Sequence, residues 1–82
     1  MSEAQPTIHE LDLVVLVHNI EGYGLKEGDV GCVVHSYRDA AAYEVEFVTA
    51  EGKTVAVLTL TPADIRPRQG EEILHVRRLA SV

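Results

Sequence analysis

The sequence predicts a small all-β domain built on a curled sheet of short strands. Three segments rich in valine, threonine and aromatic residues follow one another, at residues 28–37, 43–48 and 54–60. Short polar turns separate these segments, and β-branched and aromatic side chains are enriched in strands. A chain of 82 residues has room for one domain, close to the smallest size that folds without disulfides or metals.

The first predicted strand covers residues 13–18, after an N-terminal segment, residues 1–7, that is expected to fray. Apolar residues occur on both of its faces, with Leu11, Leu13, Val15 and Val17 on one face and Val14 and Leu16 on the other. Such a strand is either covered on both sides or in contact with a partner. Residues 19–27, which contain Gly22 and Gly24, are predicted to form a projecting loop.

The second strand opens with Gly28 and Gly31, where glycine supplies a positive φ or lets two parts of the backbone approach closely. On a regular strand Cys32 and His35 point to opposite sides, so this thiol and this imidazole are not expected to meet. A buried, inert thiol is therefore the interpretation of Cys32.

The third strand has the cleanest alternation in the chain. Apolar side chains recur at every second position and are expected to face the core, at Tyr43, Val45 and Phe47. The two glutamates between them, Glu44 and Glu46, are expected to face water. A hairpin turn at residues 50–53, with Gly52 at positive φ, then leads into the fourth strand.

A turn and a short strand complete the predicted domain. Thr61, Pro62 and Asp64 are the cap, the first-position proline and the early acid of a helix start. Only about one turn fits there, so a single 3-10 turn is predicted before a fifth strand at residues 65–67. The domain is thus predicted to span residues 8–67.

Residues 68–82 form a C-terminal tail outside the strand pattern. Ile73, Val76 and Leu79 recur at helical spacing, with acids before them and arginines among them, which favours a short helix. A strand and a disordered tail stay open as alternatives. Because a helix of about ten residues is only marginally stable by itself, the tail is expected to pack on the β domain, of its own or another copy of the chain, or on a partner.

Five short strands with a 3-10 turn before the last resemble an SH3-like barrel. The glycine-aspartate-valine-glycine opening at residues 28–31, followed by a valine-rich strand, resembles the opening of KOW-type barrels. More closely, residues 9–67 look like the bacterial family known as domain of unknown function 4926. The segments that carry this resemblance are Glu10-Leu11-Asp12, Gly28-Asp29-Val30-Gly31, Tyr43-Glu44-Val45-Glu46-Phe47 and Ile65-Arg66-Pro67. The resemblance implies a five-stranded SH3-like barrel, and it supplies no activity, cofactor or catalytic residue.

The formal charge of -6 disfavours nucleic acid as a partner, because proteins that bind phosphates normally carry a basic face. Eleven acidic and three basic residues precede Arg66, whereas four arginines and two glutamates lie from Arg66 onward, so an acidic body carries a basic tail. The longest apolar run, residues 13–17, is far short of the ~20 residues of a membrane span, and no signal peptide is expected. A single cysteine, Cys32, fits a reducing compartment, and a cytoplasmic location is expected.

No catalytic, cofactor-binding or metal-binding residue is predicted. The four histidines, His9, His18, His35 and His75, are far apart compared with the short ligand spacing of zinc sites. Glu44 and Glu46 stand about 7 Å apart on a strand, a separation that glycosidase carboxylates also show. A solvated strand face explains this pair without a cleft, and an acidic contact surface for a basic partner is the second interpretation.

The expected function is that of a non-enzymatic binding or assembly module that acts through protein–protein contacts. Its predicted contact residues are Glu44, Glu46, Tyr23, Leu74, Arg77 and Arg78. The partner is expected to be a protein, and a homodimer held by the tail is favoured over a monomer. A KOW-like nucleic-acid or ribosome-associated module is the alternative, and a small metal-dependent enzyme is the third hypothesis.

Overall fold

The strands form one antiparallel sheet. The computed structural model describes residues 8–79, so the predicted frayed segment at residues 1–7 and the last three residues of the tail lie outside it. The strands are β1 (Leu13–Leu16), β2 (Val30–Ser36), β3 (Tyr43–Val48), β4 (Thr54–Leu60) and β5 (Ile65–Pro67). They lie in the order β4-β3-β2-β1-β5, and neighbouring strands are antiparallel. The predicted all-β fold with five strands is confirmed.

The sheet wraps around one hydrophobic core to which every strand contributes. The fully or largely buried members of this core are Ile8, Val14, Leu16, Leu25, Val33, Tyr43, Val45, Phe47, Leu60 and Ile65. The inward set predicted for the third strand lies in the core, and the two glutamates of that strand lie on the other face. Within the described residues β4 and β5 do not pair with each other, so the curled sheet is open.

The first strand, β1, is buried on both faces, although its core residues are the even-numbered ones. Val14 and Leu16 point into the core, and Val15 is buried on the opposite face. Leu11 and Val17, which the sequence pattern grouped with Val15, are exposed. The strand ends at Leu16, and Leu11 precedes it in a turn with a φ of 76°, so neither residue shares the regular alternation.

A β-bulge in β2 changes which of its residues share a face. The register shifts by one residue between Val33 and His35, which leaves Val34 as an extra residue. Both Cys32 and His35 therefore pair with residues on the solvent-facing side of β3. The prediction that these two side chains point to opposite sides is wrong, because it assumed a regular strand. Cys32 is also only partly buried.

The turns occur where the sequence predicts them. Gly52, with a φ of 88°, lies in the turn between β3 and β4, where its N–H donates to the carbonyl of Thr49 at 2.8 Å. Before β5, the N–H of Asp64 donates to the carbonyl of Thr61 at 2.8 Å, which closes a single turn. A 3-10 helix lies elsewhere, at Arg38–Ala40 between β2 and β3.

The loop between β1 and β2 projects only at its tip. Ile20 and Leu25 form an isolated bridge across it, with the N–H of Ile20 donating to the carbonyl of Leu25 at 2.9 Å. Leu25 is buried in the core, while Tyr23 is exposed at the tip.

The tail is extended, so the helix favoured by its residue spacing is wrong. A turn in which the N–H of Glu72 donates to the carbonyl of Gln69 at 3.1 Å leads into residues 72–79, which form neither helix nor strand. A short isolated helix is only marginally stable. An extended chain of the same length spans a greater distance, so it can contact groups that lie far apart on the sheet. No helix among residues 8–79 has the length and apolar character needed to cross a membrane.

Gly31 is a position in the sheet where a side chain cannot be accommodated. An added Cβ would lie 2.6 Å from Cγ1 of Val45 and 2.7 Å from Cε1 of Phe47. Gly31→Ala is therefore expected to lower the free energy of unfolding by about 1–3 kcal/mol through overpacking. Gly70→Ala is the matched control, since a Cβ at Gly70 meets no atom within 4 Å. Urea unfolding compares the two variants, and equal stabilities would contradict the close approach of β2 to the core.

Candidate interaction surface

The face of the sheet that points away from the core, named the outer face, is divided into two halves. The cross-strand register and the alternation along β3 place on it Val15, Val30, Cys32, His35, Glu44, Glu46, Val48, Val57 and Thr59. Residues 72–79 are named the strap. Residues 72–75 line a cavity together with Val15 and Val30, in the half formed by β1 and the start of β2, and Arg77 and Leu79 lie beside Asp29 and Gly24. Within the described residues, the half formed by β3 and β4 is open.

Asp29 anchors the strap to the sheet through a network around its carboxylate. The residue is only 8% exposed. Arg77 donates from Nε to Oδ1 at 2.8 Å and from Nη2 to Oδ2 at 2.5 Å. Nε2 of His75 lies 3.1 Å from Oδ1, and the N–H of Lys26 donates to Oδ2 at 2.8 Å. These contacts compensate the desolvation of a charge that would be costly to bury without partners.

The pKa of Asp29 lies below its ordinary value even though the carboxyl is largely buried. Burial is the largest single influence and raises the pKa, but the hydrogen bonds from Arg77 and from the backbone of Lys26, with the charge of Arg77, together outweigh it. The group is therefore ionised at neutral pH and forms a salt bridge with Arg77. Nη2 of Arg77 also donates to the carbonyl of Gly24 at 2.8 Å, which ties the strap to the loop between β1 and β2.

A second ion pair holds the start of the strap. Arg66 of β5 donates from Nη1 and Nη2 to the two carboxylate oxygens of Glu72, at 3.1 and 2.6 Å. The N–H of Gln69 donates to the same carboxylate at 2.7 Å. These donors, with Arg66 as the largest cause, lower the pKa of Glu72 to about 2. The strap is thus held by Glu72 at its first residue and by Arg77 near its end.

Between these anchors the strap presents two aliphatic side chains to water. Ile73 and Val76 are each 95% exposed. Leu74 is 47% exposed and lines both cavities beside the strap, with Ile73 contributing to one and Val76 to the other, and His75 contacts Asp29. Large aliphatic side chains that are exposed together on a segment fixed at both ends are typical of a contact surface.

A groove of about 340 Å³ separates the strap from the turn between β3 and β4. Its lining is largely apolar and includes Val30, Val48, Val55, Leu74, Val76 and Leu79. The groove lies between the strap and the end of β3, and the core residues Leu25 and Phe47 also line it.

The open half carries two carboxylates that are held by hydroxyl donors. Glu44 accepts hydrogen bonds from the hydroxyls of Thr59 and Tyr37, both at 2.6 Å, and Glu46 accepts one from Thr54 at 2.7 Å. The bond from Thr59, followed by that from Tyr37, holds the pKa of Glu44 below its ordinary value, and Glu44 in turn raises the pKa of Tyr37. Because both threonines belong to the edge strand β4, the carboxylates are drawn toward that edge.

Glu10 extends the acidic surface across β2. Its carboxylate lies 3.6 Å from Nδ1 of His35 and accepts a hydrogen bond from the N–H of Ser36 at 3.4 Å. The His35 ring in turn packs edge-on against Tyr37, with ring centroids 4.7 Å apart. These contacts join Glu10 to the residues around Glu44.

The acidic patch, defined as Glu10, Glu44 and Glu46, is bordered by apolar side chains. Val48 and Val57 are each 50% exposed beside it. The edge strand β4 contains no charged residue, although edge strands are commonly protected from other chains by charges or proline. The open half therefore combines carboxylates with accessible apolar surface.

The structure separates the six predicted contact residues into three places. Glu44 and Glu46 lie in the acidic patch, Leu74, Arg77 and Arg78 lie in the strap, and Tyr23 lies at the tip of the loop between β1 and β2. Of the two arginines, Arg77 is engaged by the chain's own Asp29, whereas Arg78 is exposed.

Sequence reasoning missed the residues that hold these surfaces in place. The opposite charges of body and tail were visible, but not the pairing of Arg77 with Asp29 or of Arg66 with Glu72. A signal for Asp29 was present, because it is the charged residue of the glycine-flanked opening of β2.

The four histidines contact different groups. Nδ1 of His18 lies 2.8 Å from the carbonyl oxygen of Asn19 and Nε2 lies 2.8 Å from the carboxylate of Asp64, and these contacts raise its pKa. His9, His35 and His75 lie beside three other carboxylates. In the part of the chain that the structure describes, no three histidine, cysteine, aspartate or glutamate side chains form a group suited to a metal ion.

Removal of Arg77 leaves the buried carboxylate of Asp29 without its main partner. Arg77→Gln is expected to lower the free energy of unfolding at neutral pH by about 1–3 kcal/mol. Arg38→Gln, which removes the same charge from an exposed site, is the control and is expected to stay within about 0.5 kcal/mol of wild type. Urea unfolding measures both, and equal effects would contradict the attachment of the strap in solution.

The two anchors make stability depend on pH in the acidic range. The folded pKa of Asp29 lies below 3.8, and that of Glu72 is about 2 against an ordinary 4.5. A depressed folded pKa contributes stability that is complete above the unfolded pKa and is lost as pH falls through the folded pKa. The free energy of unfolding is therefore expected to fall from pH 4.5 to pH 2. Urea unfolding at several pH values tests this, and a Glu72→Gln curve parallel to wild type would contradict the contribution of Glu72.

Comparison with known proteins identifies a family that the chain matches. A family profile described as Domain of unknown function (DUF4926) matches residues 10–67, from the turn before β1 to the end of β5, and stops before the strap. No curated protein and no solved structure shows significant similarity to the chain. Because the matched region exceeds half of the sequence, the chain belongs to the family known as domain of unknown function DUF4926.

Proposed function

We propose that this chain is a non-enzymatic protein-binding module that takes up a basic, partly apolar protein surface on the open half of its outer face. The observation that carries the proposal is the arrangement of Glu44 and Glu46. Each carboxylate is held by threonine hydroxyls of β4, next to the half-exposed Val48 and Val57.

The fixed carboxylates favour binding in two ways. Side chains that are already hydrogen-bonded lose less conformational freedom when a partner arrives, so less of the binding free energy is spent on ordering them. Because the pKa of Glu44 is lowered by Thr59 and Tyr37, its charge is retained at neutral pH. Complementary charges then increase the association rate and exclude acidic competitors.

The placement of the basic residues supports a protein partner over the nucleic-acid or ribosome-associated alternative. Arg66 and Arg77 are engaged in ion pairs with acids of the same chain. Lys26, Arg38 and Lys53 lie in three separate connections between strands. Phosphate binding normally requires several cations on one face. The unpaired thiol of Cys32 and the chain's resemblance to a bacterial family favour a bacterial cytoplasm as the place of action.

The proposal is tested by titrating isotope-labelled protein with two synthetic peptides, one that alternates lysine with valine and one that alternates glutamate with valine. The lysine peptide is expected to shift the backbone amide signals of residues 44–48 and 54–59. Its dissociation constant is expected to rise about tenfold between low and high salt, because the attraction is electrostatic. Equal binding of the glutamate peptide would contradict the proposal.

Charge-matched variants locate the binding site. Glu44→Gln/Glu46→Gln is expected to weaken binding of the lysine peptide about tenfold. Glu21→Gln/Glu51→Gln removes the same charge from exposed loop positions and is expected to change the dissociation constant by less than about threefold. Filter binding with RNA and DNA completes the test, since tight and steeply salt-dependent binding would support the nucleic-acid alternative instead.

A further inference from the structure

We infer that the protein bound by the acidic patch is a second copy of this chain, which docks its strap there. The inference rests on the proposed function, because it names the partner of the same surface. Each strap lies on the patch of the other copy, so the two copies exchange identical contacts about a two-fold axis.

The exposed side of the strap has the chemistry that the patch requires. Ile73 and Val76 are almost fully exposed, and the exposed Arg78 follows them. Residues 73–79 contain no acidic residue. The patch offers carboxylates next to exposed valines, so apolar contacts and charge pairs can form together.

The strap leaves Ile73 and Val76 each 95% exposed although it lies on its own sheet. Its other side already contacts that sheet through Leu74 and through the salt bridge between Arg77 and Asp29. The outer side of β1, a natural surface for a neighbour's tail, is covered by the chain's own strap over Val15. The open half over β3 and β4 is therefore the part of the outer face that a second strap can reach.

The position of strap and patch on one face makes reciprocal docking possible. They occupy adjacent halves of the outer face, with the groove between them. Rotation by 180° about an axis parallel to that face, along the boundary between its two halves, brings the two outer faces together and places the strap of each copy over the open half of the other. Such an interface is closed and doubles every contact, so it yields a dimer and not a filament.

Sedimentation velocity on the full chain tests the inference at concentrations from about 10 to 300 µM, a range that brackets a micromolar dissociation constant. Wild type is expected to be a dimer that weakens with salt. Ile73→Ser/Val76→Ser and Glu44→Gln/Glu46→Gln are each expected to raise the dissociation constant at least about tenfold. Leu11→Ser is the control, because Leu11 is an aliphatic side chain that is 77% exposed and belongs to neither the strap nor the acidic patch. This variant is expected to leave the dissociation constant of the dimer unchanged.

A charge exchange tests the reciprocal geometry. Glu44→Lys/Glu46→Lys places a basic strap opposite a basic patch, and Arg78→Glu places an acidic residue opposite an acidic patch, so each variant is expected to be monomeric alone. Mixed in equal amounts, the two are expected to form a heterodimer, because both contacts then join opposite charges. Circular dichroism verifies that each variant is folded. If a lysine variant does not fold, the serine variant of the strap still decides the question.

The outcomes separate this inference from the proposed function. A monomeric wild type that binds the lysine peptide through Glu44 and Glu46 would overturn the second copy as partner and leave the proposed function intact. A dimer unaffected by the strap variant would also overturn the inference. A dimer unaffected by the Glu44→Gln/Glu46→Gln variant, with no binding of the lysine peptide, would overturn both.

Discussion

Burial of the Asp29 carboxylate imposes a constraint that reaches from β2 to the C-terminal tail. A carboxylate in this position must either be protonated or receive charged and hydrogen-bonding partners. Arg77 provides most of that compensation from a point 48 residues away in sequence. Gly28 has a φ of 95° and lies against the ring of His75, so the adjacent backbone also accommodates the strap closely. The tail is consequently part of the folded unit, although the family match ends before it.

The attachment of the strap also determines which surfaces remain available. With Glu72 and Arg77 held on the sheet, the chain between them lies extended over Val15 and Val30. An extended segment fixed on one side presents its remaining side chains outward, and in this strap those are aliphatic and basic. The acidic residues of β3 lie uncovered on the other half of the same face. Two electrostatic anchors thus produce a face with two chemically complementary halves.

The hydroxyl groups around the acidic patch show how a solvent-exposed strand face can become a recognition surface. Two neighbouring glutamates on a strand repel one another and are normally mobile in water. Here Thr54, Thr59 and Tyr37 donate to them, which orients the carboxylates and draws negative charge toward an edge strand that has no charge of its own. The same arrangement favours a basic partner and disfavours an acidic one.

The sequence by itself determined the strands, their order along the chain and the inward set of β3, because these features follow from local alternation and from glycine turns such as that at Gly52. It also revealed the acidic pair Glu44 and Glu46 and the opposite charges of body and tail. Only the tertiary structure decided the β2 bulge, which depends on how two strands align, and the extended tail, which depends on distant ion pairs. Which cation pairs with a buried carboxylate depends on the positions of the two groups in the folded chain, and local sequence patterns do not specify those positions.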